Sequence, residues 1–263
     1  MITELLYFPA LILIIGAFLL PLISEKIRPA LFILFPLVAL AGIWMMPSDY
    51  VLTMNLTAYE LALVEAGTLS RLFATIFAMI AIIGGIYAYH NKNLGEQSSA
   101  LVYAGGALGV AYAGDFFTLL VFWELMAFSS SYLIWARKTD ETAKSGMRYL
   151  VYHSLGGGIL LSGIILHLNE TGSLAITSFP DTYTLSSVLI LVGVSINSAI
   201  PPFHAWLADA YPKATITGAV FMSAFTTKSA VYVLMRLFPG WDILIWFGVM
   251  MALYGVVYAV LAN

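Results

Sequence analysis

The chain has 263 residues, of which 61% are hydrophobic and 10% charged, against about 25% charged in a soluble domain. A net charge of −3 with no basic run gives no footprint for nucleic acid. The lack of cysteine excludes disulfides, thiolate metal sites and thiol catalysis.

A helix needs about 20 apolar residues to cross the hydrocarbon of a bilayer. About nine segments meet that length: 4–23, 29–46, 70–89, 97–114, 115–136, 146–168, 185–204, 214–237 and 241–262. The first, within MITELLYFPALILIIGAFLLPLI, has no Lys or Arg ahead of its apolar core and no small-residue cleavage site. It reads as a retained span, not a signal peptide. Residues 47–69, with Val, Thr, Leu and Tyr in loose alternation, predict a short hairpin or interfacial segment outside the membrane. The fourth and fifth spans meet at a tight turn, Gly114-Asp115, where Asp115 is expected to cap a helix. RKTDETAKSGMR, after the fifth span, reads as a solvated turn with Asp140 and Lys144 at i,i+4 spacing. GGALG at 105–109 and GGG at 156–158 put small residues where helices can approach closely.

Loop charge sets the orientation. Lys26, Arg28, Lys92, Arg137, Lys138, Lys144, Arg148 and Lys213 all fall on one side if the spans alternate. The opposite loops hold Asp49, Glu60, Glu65, Glu170, Asp181 and Asp242. The expected topology in a cell (inner) membrane puts the N-terminus outside and Asn263 on the cytoplasmic side.

Two charges break the apolar pattern. Glu124 lies mid-span in FFTLLVFWELMAFSSSYLIW, and Lys228 mid-span in TITGAVFMSAFTTKSAVYVLMRLF. A charge at the bilayer centre costs roughly 2.5–3.5 kcal/mol on insertion scales, and such groups line ion or proton routes by default. Helical spacing places Phe117, Phe128 and Ser131 on the face of Glu124, and Thr217, Phe221 and Tyr232 on that of Lys228. The seventh span ends in VSINSAIPPFHAWLADAYP. Pro201 and Pro202 lack amide donors, so the helix should break near Asn197–Pro202. Freed backbone at that depth must be buried in protein or line a wet cavity, and broken helices at the midplane build ion sites in many transporters. His153, a few residues from the midplane, could pass protons or simply pack. His167, beside Asn169 and Glu170, reads as interfacial. A haem between His153 and His167 would need second ligands at matching depth, and only His90 and His204 remain, near the ends of their spans. No nucleophile–base pair or HExxH pattern occurs, so no catalytic centre, metal or cofactor is expected.

FWELMAFSSSYLI resembles the fifth-span segment of the antiporter-like proton-translocating subunits of respiratory complex I. That family also includes Mrp-type cation/proton antiporters and membrane-bound hydrogenases. IPPFHAWLADAYPKATITGAVFMSAFTTKSAVYVLMR resembles its broken seventh helix and lysine-bearing eighth, and the D-subunit-like Mrp members look closest. The resemblance implies an all-α integral membrane protein with one five-helix antiporter-like repeat. It divides the chain into N-terminal spans (1–96), that repeat (97–237), and the first helix of a second, inverted repeat (238–263). It implies a proton pathway through Glu124, Lys228, His153, Asn197 and His204, with the helix break at Pro201 and Pro202. It also implies other membrane subunits as partners, including a chain supplying the missing second repeat unless this is a fragment. The alternative is a non-conducting structural subunit of the same kind of complex.

Two features depart from the pattern. The family usually has a lysine just before the break, paired with the glutamate; the corresponding residue is Asn197, so Glu124 has no expected cationic partner. Family members also have about fourteen spans, and this chain ends early in the second repeat. At an effective dielectric of 20, two charges about 8 Å apart interact by about 2 kcal/mol. That is enough to couple charge movement between Glu124, a hydrated region near Asn197 and His153, and Lys228.

Overall fold

A computed structural model of the chain describes residues 2–57 and 59–261. The fold is a helical bundle with one hairpin. Its helices are α1 (Ile2–Leu6), α2 (Pro9–Leu19), α3 (Arg28–Met45), α4 (Thr68–Tyr87), α5 (Leu94–Tyr112), α6 (Phe116–Trp135), α7 (Asp140–Thr171), α8 (Leu185–Ser198), α9 (Ala205–Ala210), α10 (Ile216–Ala224), α11 (Thr226–Leu237) and α12 (Ile243–Leu261). Each expected span holds helix, and six helical segments are long and apolar enough to cross a membrane. This is a multi-pass membrane protein. The expected cytoplasmic end at Asn263 lies outside the described residues.

Three spans differ from the even helices expected. The first is split, because Pro9 opens α2 at a position where its missing N–H is harmless, while Phe8 before it leaves helical geometry. The seventh stops at Ser198; Ala199 takes a left-handed conformation, and the crossing is continued by irregular backbone and the short α9. The eighth is two helices, α10 and α11, meeting at Phe225.

The hairpin falls where alternation placed it. β1 (Val51–Leu56) pairs antiparallel with β2 (Tyr59–Glu65), with an irregularity between Leu52 and Thr53. It covers one end of the bundle. Gly114 donates to the Ala62 carbonyl at 2.8 Å, and Arg236 bonds Glu65 at 2.8 Å and also the Ala113 carbonyl. Asp115 caps α6, its Oδ1 accepting from the Thr118 amide at 2.8 Å.

Helix α5 is the centre of the bundle, packed against α2, α4, α6, α10 and α11. Its small residues allow this. A Cβ on Gly106 would overlap Met126, and one on Gly109 would overlap the Phe122 ring, so α6 approaches at a distance no other residue permits. By contrast α12 buries no residue and touches the bundle mainly near its start.

The basic loops meet at the other end. Lys92 pairs with Glu25 at 3.2 Å, and Arg137 donates to the Pro212 carbonyl at 3.0 Å. Asp140 and Lys144 form no pair among the described residues. Instead Lys213 reaches Glu141 at 3.2 Å and Asp209 at 2.7 Å, and Arg148 grips Asp209 at 2.8 Å. This network ties the start of α7 to the segment that follows the break in α8. Burial alone would push the Asp209 carboxyl up, yet Lys213 and Arg148 hold it below its usual value.

A depressed carboxyl contributes stability above its unfolded value and loses it as pH falls through the folded one. Asp209→Asn is therefore expected to cost about 1 kcal/mol near neutrality, a figure kept small by partial exposure. Thermal melts of the two proteins against pH check this, with the gap between them closing below about pH 4.

Candidate functional site

The proposed site residues lie on α6, α7, α8 and α11, with Pro201, Pro202 and His204 in the segment between α8 and α9. Glu124 is half-buried on α6, and its carboxyl lies over Gly157 of α7, where any Cβ would overlap it. It makes no hydrogen bond or ion pair among the described residues. One turn back along α7, buried His153 meets Asn197 of α8, Nδ1 to Oδ1, at 2.8 Å. Its ring packs on Tyr149 at 4.1 Å and Trp206 at 4.4 Å, and its Nε2 has no partner.

The break in α8 is sealed by side chains. Trp206 donates its indole N–H to the Ile196 carbonyl at 2.9 Å, and Ser198 donates to the Ser195 carbonyl at 3.1 Å. His204 lies beyond the break, apart from His153 and Asn197. It faces α12, with its ring 4.7 Å from Tyr254 and Nε2 3.5 Å from the Tyr258 hydroxyl. A largely apolar cavity of about 590 Å³ opens there, between Pro201, His204, Thr227, Tyr254 and Tyr258.

The break at Phe225 was not expected from the sequence. In a continuous helix the Thr226 amide would pair with the Met222 carbonyl, and the Thr227 amide with the Ser223 carbonyl. Here the Thr226 amide donates to the Tyr103 hydroxyl at 2.9 Å. Tyr211 donates its hydroxyl to the Met222 carbonyl at 2.7 Å, and Lys228 donates its amine to the Ser223 carbonyl at 2.6 Å. The break turns Lys228 outward: it is exposed on this chain, whereas Phe221, Thr217 and Tyr232, expected on its face, are buried.

Beside the break runs a buried seam of hydroxyls. Ser130 of α6 bonds Tyr149 of α7 at 2.9 Å, Tyr149 reaches Thr226 of α11 at 3.5 Å, and Thr226 bonds Tyr103 of α5. Glu124 and Lys228 are not in contact. Glu124 shares α6 with Ser130, Lys228 shares α11 with Thr226, and the Tyr149 ring packs on His153 of the His153–Asn197 pair. Sequence reading missed Tyr103, Ser130, Tyr149 and Thr226, since a hydroxyl on an apolar helix is common. The spacing of Tyr149 and His153 by one turn was the available signal. His167, expected at the interface near the end of its span, is 7% exposed there, held between Phe116 and Phe179. Among the described residues no three His, Cys, Asp or Glu gather to hold a metal.

The site thus sets a half-buried acid, an amine at a helix break and a buried hydroxyl–imidazole seam inside a bundle of membrane helices. Residues 113–263 match the family described as NADH:quinone oxidoreductase/Mrp antiporter, TM. The chain belongs to that family. It is 32% identical over 190 residues to an Na(+)/H(+) antiporter subunit of Alkalihalophilus pseudofirmus, covering 65% of this chain and 23% of that protein. It is 27% identical over 190 residues to NADH-quinone oxidoreductase subunit N of Desulforamulus reducens, covering 67% and 40%. The chain thus spans less than half the length of these curated relatives. Its fold is that of a chain in the Mrp complex from a Dietzia species, at TM-score 0.78, 23% identity, and 88% and 28% coverage. The archaeal membrane-bound sulfane sulfur reductase holds a similar chain, at TM-score 0.76, 24% identity, and 92% and 54% coverage.

Gly157→Val should displace the Glu124 carboxyl from its seat. Mass-spectrometric mapping of a hydrophobic carbodiimide adduct should then show altered labelling at Glu124, with unchanged labelling of carboxyls in the loops.

Proposed function

We propose that the chain is a proton-translocating subunit of a multi-subunit cation/proton antiporter or complex I-like membrane complex. The observation that carries this reading is the buried seam Ser130–Tyr149–Thr226–Tyr103, which crosses four helices beside a helix break, with Glu124 on one of those helices and Lys228 on another. A proton moves along hydroxyls and imidazoles by exchange of hydrogen bonds. Beside the seam, His153 Nε2 and Ser229 Oγ are buried with no hydrogen-bond partner among the described residues. A buried group left unpaired costs about 1–3 kcal/mol, so wetting of this region is favoured.

In this reading Glu124 receives a proton on one flank. His153, oriented by Asn197, and the hydroxyls relay charge, and Lys228 holds it on the other flank. His204 lies past the break at Pro201 and Pro202, on the side of the large cavity, and serves exchange with the basic end. Because Lys228 donates to a carbonyl freed by the break, its charge state biases the geometry of that break. Residues 97–237 form the first five-helix repeat, and 238–263 open a second. An ammonium at mid-span is costly against lipid, so further protein covers the exposed face around Lys228. The basic end faces the cytoplasm of the cell membrane, by the excess of Lys and Arg in its loops.

One observation favours the structural alternative: no cation lies beside Glu124 among the described residues. The two readings part in a transport assay. In vesicles holding the assembled complex, Glu124→Gln or Lys228→Ala should lower proton flux by about tenfold or more, with the subunits still co-purifying. Unchanged flux in both variants, or lost assembly as the sole effect, supports the scaffold.

A further inference from the structure

At the hairpin end, away from the seam, α4 begins with a positive charge that has no acid beside it. Arg71 lies in the first turn of that helix, where no acidic residue accompanies it. It forms no ion pair among the described residues. Glu65, which precedes the helix, pairs with Arg236 instead at 2.8 Å. The N-terminus of a helix is itself positive and favours anions, so a lone cation there is unfavourable until an anion offsets both. Arg71 donates its Nη2 to the Met46 carbonyl at 2.6 Å, which ties the guanidinium to the end of α3. Its Nε is buried with no partner.

Arg71 lines a cavity of about 280 Å³ together with Trp44, Ser48, Thr68, Leu72 and Thr75. That is near the small end of ligand sites, of about 300–1,000 Å³, and suits a polar headgroup better than a whole lipid. The lining offers three hydroxyls and one cation, and no carboxylate among the described residues. Trp44 and Leu72 are exposed. From Leu72 an exposed apolar stripe continues along α4 through Ile76, Met79 and Ile83, at i+4, i+7 and i+11. Tryptophan settles at the level of lipid headgroups, so the cavity lies at the head of a stripe suited to acyl chains. An arginine fork matches a phosphate through two parallel N–H···O bonds. A zwitterionic headgroup would add an ammonium that no lining residue balances, whereas a single phosphate matches the single guanidinium.

We propose that this cavity binds the headgroup of a singly anionic phospholipid of the phosphatidylglycerol type. Arg71 takes the phosphate, and Ser48, Thr68 and Thr75 bond the headgroup hydroxyls. The acyl chains lie on Leu72, Ile76 and Met79. The phosphate supplies the anion that the first turn of α4 lacks. The site lies outside the proposed proton route and does not depend on it.

The test uses the full chain with its co-purifying subunits, in phosphatidylcholine nanodiscs. These carry a trace of phosphatidylglycerol or of phosphatidylcholine with the same photoreactive group in one acyl chain. After illumination, labelled peptides are mapped by mass spectrometry. In the wild type, the stretch from Trp44 to Met79 is expected to take the phosphatidylglycerol probe about fivefold or more over the phosphatidylcholine probe. Arg71→Gln should remove that preference, and Arg71→Lys, which keeps the charge, should retain part of it. Should Arg71→Gln fail to assemble, competition on the wild type carries the test: unlabelled phosphatidylglycerol displaces the probe, and unlabelled phosphatidylcholine does not. Equal labelling by the two probes, or a preference unchanged in Arg71→Gln, overturns the proposal. Displacement of the probe by inorganic phosphate alone also overturns it, by assigning the cavity to a free anion. So does no labelling of the stretch by either probe, which would mean that protein covers this face.

Discussion

A backbone interruption inside a membrane helix must find hydrogen-bond partners within the protein, because lipid offers none. The structure depends on how this is met at Phe225. Three side chains replace the missing rungs: Tyr103 takes the Thr226 amide, Tyr211 serves the Met222 carbonyl, and Lys228 serves the Ser223 carbonyl. The amine of Lys228 is thereby also one of the groups that hold the break in shape. A change in protonation here cannot occur without some response from the backbone, since a hydrogen bond to a charged donor is stronger than one to a neutral donor.

Packing around α5 brings these groups together. Its glycines let α6 close in, so that Tyr103 on α5 and Ser130 on α6 both reach the region of Thr226. On α7, Gly157 does for Glu124 what a larger residue could not, giving the carboxyl a seat against backbone. His153 sits one turn away, with Trp206 covering it from the segment after the α8 break. The ion network of Asp209, Arg148, Lys213 and Glu141 then pins that segment to the start of α7. The loop-side charges thus fix the position of a side chain that closes the interior.

Hydropathy made most of the fold legible. The segments that carry helix were readable because bilayer thickness fixes their length, and the hairpin because residues 51–65 alternate. The end of α8 was marked by Pro201 and Pro202, whose chemistry permits little else. The break at Phe225 had no such mark: Ser223, Thr226 and Thr227 are compatible with a helix, and only Tyr103 and Tyr211, distant in sequence, make the interruption tolerable. The same limit hid the His153–Asn197 bond, whose partners lie on different helices. The enclosure of His167 was hidden in the same way, because the two phenylalanines around it come from separate segments. Glu124 and Lys228 were found because a charge among apolar residues stands out without any knowledge of contacts.

The central claim is that buried hydroxyls, not a direct contact between acid and amine, link the two flanks. Removal of one oxygen tests it: Tyr149→Phe keeps the ring against His153 and Trp206 and deletes only the bridge between Ser130 and Thr226. Proton flux measured with a pH-sensitive dye in vesicles holding the assembled complex should fall about tenfold or more, while the variant assembles and melts like the wild type. Flux equal to that of the wild type would contradict the account.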